Sequence, residues 1–231
     1  MRHAGLFDAL PFASRLTAAV IQPGPLPRIF GLSVGLDLAG QVPFHAQVWL
    51  SLTGELPTPD EAEAFSWALS LLSALHIGRC PTHAAGLARL AGASDAMLAA
   101  IAAVGLGQWG EAEQALFTAV GDWMAGRSGP PAAAIEPAPN AEVEASQERL
   151  SAATLRWFGP AGALPARPLL RPEAAAAWLL LGLGIQDAAR LQIIALWARL
   201  PATLAEALCQ RPGAVLQHPG RLPDYVYVED R

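Results

Sequence analysis

The residue types and spacings that could do chemistry are few in this chain. His76, Cys80 and His83 stand at i, i+4 and i+7, a spacing that would align two imidazoles and a thiol on one helical face and invites a metal reading. Pro81 falls inside that stretch and disturbs a helix running through all three, and no fourth ligand is evident, so no metal is expected. A histidine on the apolar face of a helix, as His76 would be, is ordinarily a core residue with its polar needs met. Arg199, taken by itself, reads as a surface guanidinium paired with a nearby acid. No Ser-His-Asp order, phosphate-binding glycine loop, dinucleotide fingerprint or zinc spacing occurs elsewhere. Cys80 and Cys209 suggest no disulfide framework.

The elements that must position these residues read as helices. Thr58-Pro59-Asp60-Glu61 places an N-cap hydroxyl, a first-turn proline and a capping-box carboxylate in order, with Phe65, Leu69, Leu72 and His76 following at helical spacing. Ser94-Asp95 opens a second apolar stripe, Met97, Leu98, Ile101 and Val104, which Gly105 and Gly107 are expected to interrupt, so that a separate helix covers about residues 111–124. Residues 127–140, RSGPPAAAIEPAPN, form a breaker-rich loop and the segment best suited to be mobile. Beyond it the pattern predicts helices at about 141–157, 172–184, 187–199 and 201–210, the last two divided by Pro201. Residues 23–42 suit a small hairpin, and residues 224–228 a short strand or extended arm. The expected fold is all-α, helices packed in layers, with a small N-terminal hairpin.

Composition narrows the partners. The chain of 231 residues is 53% hydrophobic and 15% charged, which suits a packed globule with apolar surface left for another subunit. Its formal net charge is −5 and all 15 basic residues are arginine, without a basic run, so neither nucleic acid nor an anionic membrane is expected as a partner. The start of the chain shows no signal-peptide pattern, and the apolar run 174–185 is shorter than the roughly 18 residues of a membrane span. The expected location is the cytoplasm.

Residues 34–58, VGLDLAGQVPFHAQVWLSLTGELPT, resemble the opening segment of citrate synthases, "G-x-D-L-x-G…F…L-x-G-E-L-P-T". Further landmarks of the citrate synthase and citryl-CoA lyase superfamily follow in order to about residue 221. The resemblance implies an all-α, citrate-synthase-like fold of large and small helical parts: an N-terminal arm at 1–29, a large-domain-like part at 30–126, the loop at 127–140, a reduced small-domain-like part at 141–185, and C-terminal helices of the large domain with a tail at 186–231. It also implies a dimer.

Carried over residue by residue, the landmarks place His76, Arg167 and Arg199 where the family holds substrate carboxylates. In "G-x-L-H-G-G-A" the histidine that polarises the thioester carbonyl is matched by Trp109, whose indole can donate a hydrogen bond but cannot exchange a proton near neutral pH. Citryl-CoA lyase modules also carry an aromatic there. The histidine of "G-F-G-H-P" is matched by Pro160, and the general-base aspartate of "K-P-N-V-D-F" by Ala175. Glu173, two residues earlier, would point elsewhere on a helix, where successive residues are rotated by about 100°. Losing one member of a concerted catalytic group already forfeits most of its acceleration.

The expectation is therefore a citrate-synthase-like protein without the catalytic residues. It would act as a binding or regulatory subunit, a homodimer or a heteromer with an active citrate synthase paralogue. No cofactor is identified in the sequence, and the candidate ligands are a di- or tricarboxylate or a coenzyme A thioester. The alternative is an active acyl-CoA condensing enzyme or citryl-CoA lyase using non-standard residues.

Overall fold

The computed structural model describes residues 20–22, 24–73, 75 and 78–212. By packing, the chain divides into two compact units, residues 1–57 and 58–231.

The first unit contains the expected small sheet. Strands β1 (Ile21–Gln22), β2 (Arg28–Ile29) and β3 (Leu32–Ser33) pair antiparallel in that order. The two-residue link Phe30-Gly31 has both φ values positive, 48° and 83°, the sense of turn that matches strand twist in a hairpin. One π-helical turn follows at Val34–Leu38, braced from both sides: the Leu36 amide donates to Ser33 Oγ at 3.3 Å, and the Ser33 amide donates to Asp37 Oδ2 at 2.7 Å. Leu38 is fully buried. The aspartate of the G-x-D-L stretch thus has a local structural task. Helix α1 (Phe44–Thr53) ends on Gly54 at φ 89°, a left-handed cap that glycine adopts without strain.

The second unit is helical: α2 (Pro59–Ser73), α3 (Cys80–Leu90), α4 (Asp95–Met124), α5 (Ala141–Gly162), α6 (Pro172–Gly182) and α7 (Ala188–Leu208). The predicted capping box opens α2, with the Thr58 amide donating to Glu61 Oε2 at 2.8 Å and the Glu61 amide to Thr58 Oγ1 at 3.3 Å. Helices α3, α4 and α7 pack mutually, α2 packs on α6 and α7, and α6 on α4. Phe65 and Leu72 of α2 are fully buried.

Two expectations are corrected here. Helix α4 runs unbroken through Gly105 and Gly107. At Gly105 a Cβ would lie 3.2 Å from Pro81 Cα, so the glycine admits α3 to close range instead of ending the helix. Its buried stripe is Leu98, Ala102 and Leu106; of the expected stripe Leu98 is buried, Ile101 is half-buried, and Met97 and Val104 face outward. Helix α7 is also continuous, with Pro201 inside it. An interior proline costs about 3 kcal/mol, and the burial of Arg199 and Thr203 on either side holds both halves in place against that cost.

Helix α5 extends past the expected end to Gly162, bending at Gly159 (φ 70°, ψ −175°). The loop at 127–140 is tied down: Ala134 is fully buried, the Glu136 amide donates to the Leu169 carbonyl and the Arg171 amide to that of Ala134, both at 2.9 Å. Helix α7 is long and apolar enough by length and composition to cross a membrane. Its packing on α2, α3 and α4 and its buried central arginine give a core helix the same apolar character. The predicted strand at 224–228 lies outside the described residues.

Ala85, Ala102 and Ala207 meet where α3, α4 and α7 converge, each at most 1% exposed. Ala102→Leu is expected to destabilise the fold by about 1–3 kcal/mol through overpacking, measured as a lower urea midpoint with an unchanged slope.

Candidate functional site

The one charged side chain buried among the described residues is Arg199, 1% exposed in the middle of α7, so the expected pairing with an acid is present but in the core and not at the surface. Three neighbours satisfy it. Its Nε donates to the Leu72 carbonyl at 3.1 Å, in the last turn of α2, where a cation offsets the negative end of the helix dipole. Its Nη1 and Nη2 grip Glu113 of α4 side-on, at 2.5 Å to Oε2 and 2.8 Å to Oε1. The guanidinium fork and the carboxylate match in shape, giving the strong bidentate form of the pair.

Glu113 is placed by its own helix. One turn earlier Trp109 donates its indole N–H to Glu113 Oε1 at 3.0 Å, an i, i+4 contact along α4. The Arg79 guanidinium lies 5.4 Å from the Trp109 ring centre, within cation–π range. Gly110 brings the helices together: a Cβ there would stand 3.5 Å from Gln192 Cγ on α7, so α4 and α7 approach closely within a turn of the ion pair. Glu113 accepts three N–H groups and its side chain is 11% exposed.

The other expected carboxylate holders are elsewhere or outside the described residues. Arg167 donates to Glu144 Oε1 at 2.8 Å in an ion pair whose side chains are 67% and 46% exposed. Arg167 and Arg199 share no hydrogen-bonding partner, and no cavity described below lies against both. His76 falls outside the described residues. No group of three His, Cys, Asp or Glu side chains able to hold a metal occurs among the described residues. Helix α3 begins at Cys80 with Pro81 in its first turn, so the proline starts that helix.

At the positions matched to the family's proton chemistry, Trp109 is spent on Glu113, Pro160 is exposed just past the α5 bend, and Ala175 is 3% exposed on α6. Ala175 lines a cavity of about 200 Å³ with Glu136, Glu142 and Gln147, and Glu173 is not among its walls. Gln147, 4% exposed, is saturated: its Nε2 donates to the carbonyls of Pro165 (2.9 Å) and Pro168 (3.3 Å), and its Oε1 accepts from the Leu170 amide at 3.2 Å. It staples the 165–170 segment to α5. Sequence reasoning missed both Gln147 and Glu113. For Glu113 the only signal was its four-residue spacing from Trp109.

The class defined by these elements is a helical fold of the citrate synthase type with a small N-terminal sheet. A solved structure of citryl-CoA lyase from Hydrogenobacter thermophilus is similar to it, with a TM-score of 0.66 over 94% of this chain and 96% of that one, at 17% sequence identity. The resemblance read in the sequence is thus borne out at the level of fold. No protein-family model matches the chain, and no curated protein matches its sequence.

Removing one partner of a buried pair strands the other, so Glu113→Ala should cost about 3–5 kcal/mol in urea unfolding. The double replacement Arg199→Met with Glu113→Leu should recover most of that loss, because it removes both desolvated charges. Arg167→Ala should change stability by less than about 1 kcal/mol, its ion pair with Glu144 being solvated.

Proposed function

We propose that this chain is a non-catalytic relative of the citrate synthases and citryl-CoA lyases that serves as a binding or regulatory subunit. The observation carrying this reading is that the Arg199 fork, matched by sequence to a family arginine that holds a substrate carboxylate, holds Glu113. An internal carboxylate on that fork competes with any external one at a fixed and very high effective concentration. Trp109, Pro160 and Ala175 support the same reading, because none can take up or deliver a proton near neutral pH.

The partner in this reading is a second copy of the chain or an active paralogue. Exposed apolar side chains on two long helices, Met97 and Val104 of α4 with Ile193 and Leu208 of α7, offer the kind of surface a subunit would cover. A two-fold pair is the default arrangement for such contacts. A di- or tricarboxylate, or a coenzyme A thioester, would bind to the extent that it outcompetes the internal pair.

Purified protein supplied with citryl-CoA should release acetyl-CoA no faster than buffer, and with acetyl-CoA and oxaloacetate it should release no free thiol. Turnover that vanishes in Glu173→Gln would overturn the reading in favour of an active lyase or condensing enzyme. Sedimentation at micromolar concentration should show a dimer, alone or with an active paralogue. A monomer in both cases would remove the subunit role.

A further inference from the structure

A second concavity, remote in sequence from Glu113 and Arg199, lies where the start of α2, the end of α5 and the end of α6 meet. Its volume is about 290 Å³, and its walls include Trp157, Phe158, Asp60 and Glu61. Aromatic rings and carboxylates lining one cavity are the chemistry that recognises an organic cation, since a ring quadrupole and an anion both attract positive charge.

The walls are fixed in place. The Trp157 ring meets Trp67 edge-on at 5.8 Å, and its indole N–H points to Glu63 Oε2 at 3.4 Å. Phe158 packs into a space that only glycine leaves open: a Cβ at Gly182 would stand 2.9 Å from Phe158 Cε2. The bend at Gly159 ends the regular helix directly after these two rings. Glu61 spends Oε2 on the Thr58 cap, and its Oε1 has no hydrogen-bond partner among the described residues. Asp60 has no hydrogen-bond or ion-pair partner among the described residues. Two carboxylates outweigh the roughly half positive charge of the helix start they flank.

The chain itself shows that its indoles accept cations. Guanidinium groups stand over Trp109, Trp67 and Trp157 at 5.4, 6.0 and 5.5 Å. Arg156, the group over Trp157, is held by Glu63 and is not part of the cavity wall.

We infer that the cavity formed by Asp60, Glu61, Trp157 and Phe158 is a binding site for an organic cation, a quaternary ammonium or guanidinium group. The cation comes either from a free small molecule or from a side chain of a bound peptide. The assignment stands independently of the subunit role, because it uses none of the residues matched to the family's chemistry.

The test is a titration of the whole chain, read by tryptophan fluorescence and thermal melting, at ionic strength held constant with sodium chloride. Tetramethylammonium represents the free ligand, N-acetyl-arginine amide the peptide side chain, and neopentyl alcohol a neutral isostere. Saturable binding of either cation, absent for the alcohol, is expected, and the tighter of the two identifies the source. Asp60→Asn leaves the Thr58–Glu61 cap intact and should weaken binding about five-fold. Trp157→Leu should weaken it by at least as much, with Trp157→Phe intermediate. Cation responses no greater than that of sodium chloride, equal binding of the alcohol, or an Asp60→Asn variant that binds as the parent does would overturn the assignment.

Discussion

A guanidinium cannot be taken out of water without a partner, and the burial of Arg199 is the constraint on which the second unit depends. The effective penalty for an unpaired interior charge is several kcal/mol, comparable with the whole stability of a domain. Helix α7 can therefore occupy the core only if α4 delivers Glu113 and α2 ends with its Leu72 carbonyl in reach. Three helices separated in sequence are registered by one side chain. Such a pair adds little net stability compared with apolar residues of the same shape, but it penalises every packing that separates its members. In the proposed reading the same pair bears on function, since a carboxylate ligand would have to displace Glu113 from the fork.

Small residues supply the geometry around that pair. Gly105 admits Pro81, Gly110 admits Gln192, and Ala85, Ala102 and Ala207 let three helices converge. The alanines and glycines at these positions serve close helix approach. This also explains why glycine and proline misled as helix breakers. A glycine in a helix costs about 1 kcal/mol and an interior proline about 3, and tertiary packing over a 30-residue α4 or a 21-residue α7 exceeds either. The punctuation rules held where no packing opposed them, as at the Thr58 capping box, the Ser94 cap and the Gly54 terminus.

How much of the site could be read in advance follows the same division between local and distant causes. The order of the landmarks indicated the fold, and Trp109, Pro160 and Ala175 are visible as residues without proton chemistry from their types alone. That the Trp109 indole would donate to a carboxylate four residues on is a helical-spacing argument. The grip of Arg199 on Glu113 spans 86 residues and has no local signature. The aromatic and acidic residues of the second cavity, Trp157 and Asp60, are likewise far apart in sequence and are brought together by the packing of α2 and α5.

Whether Glu113 fills the place of an external carboxylate on the Arg199 fork is tested most directly by calorimetric titration with citrate. The parent chain should give no saturable heat at millimolar citrate, and Glu113→Ala, which empties the fork while leaving Arg199, should bind citrate and regain thermal stability on doing so. Citrate binding by the parent at an affinity that Glu113→Ala leaves unchanged would contradict the account.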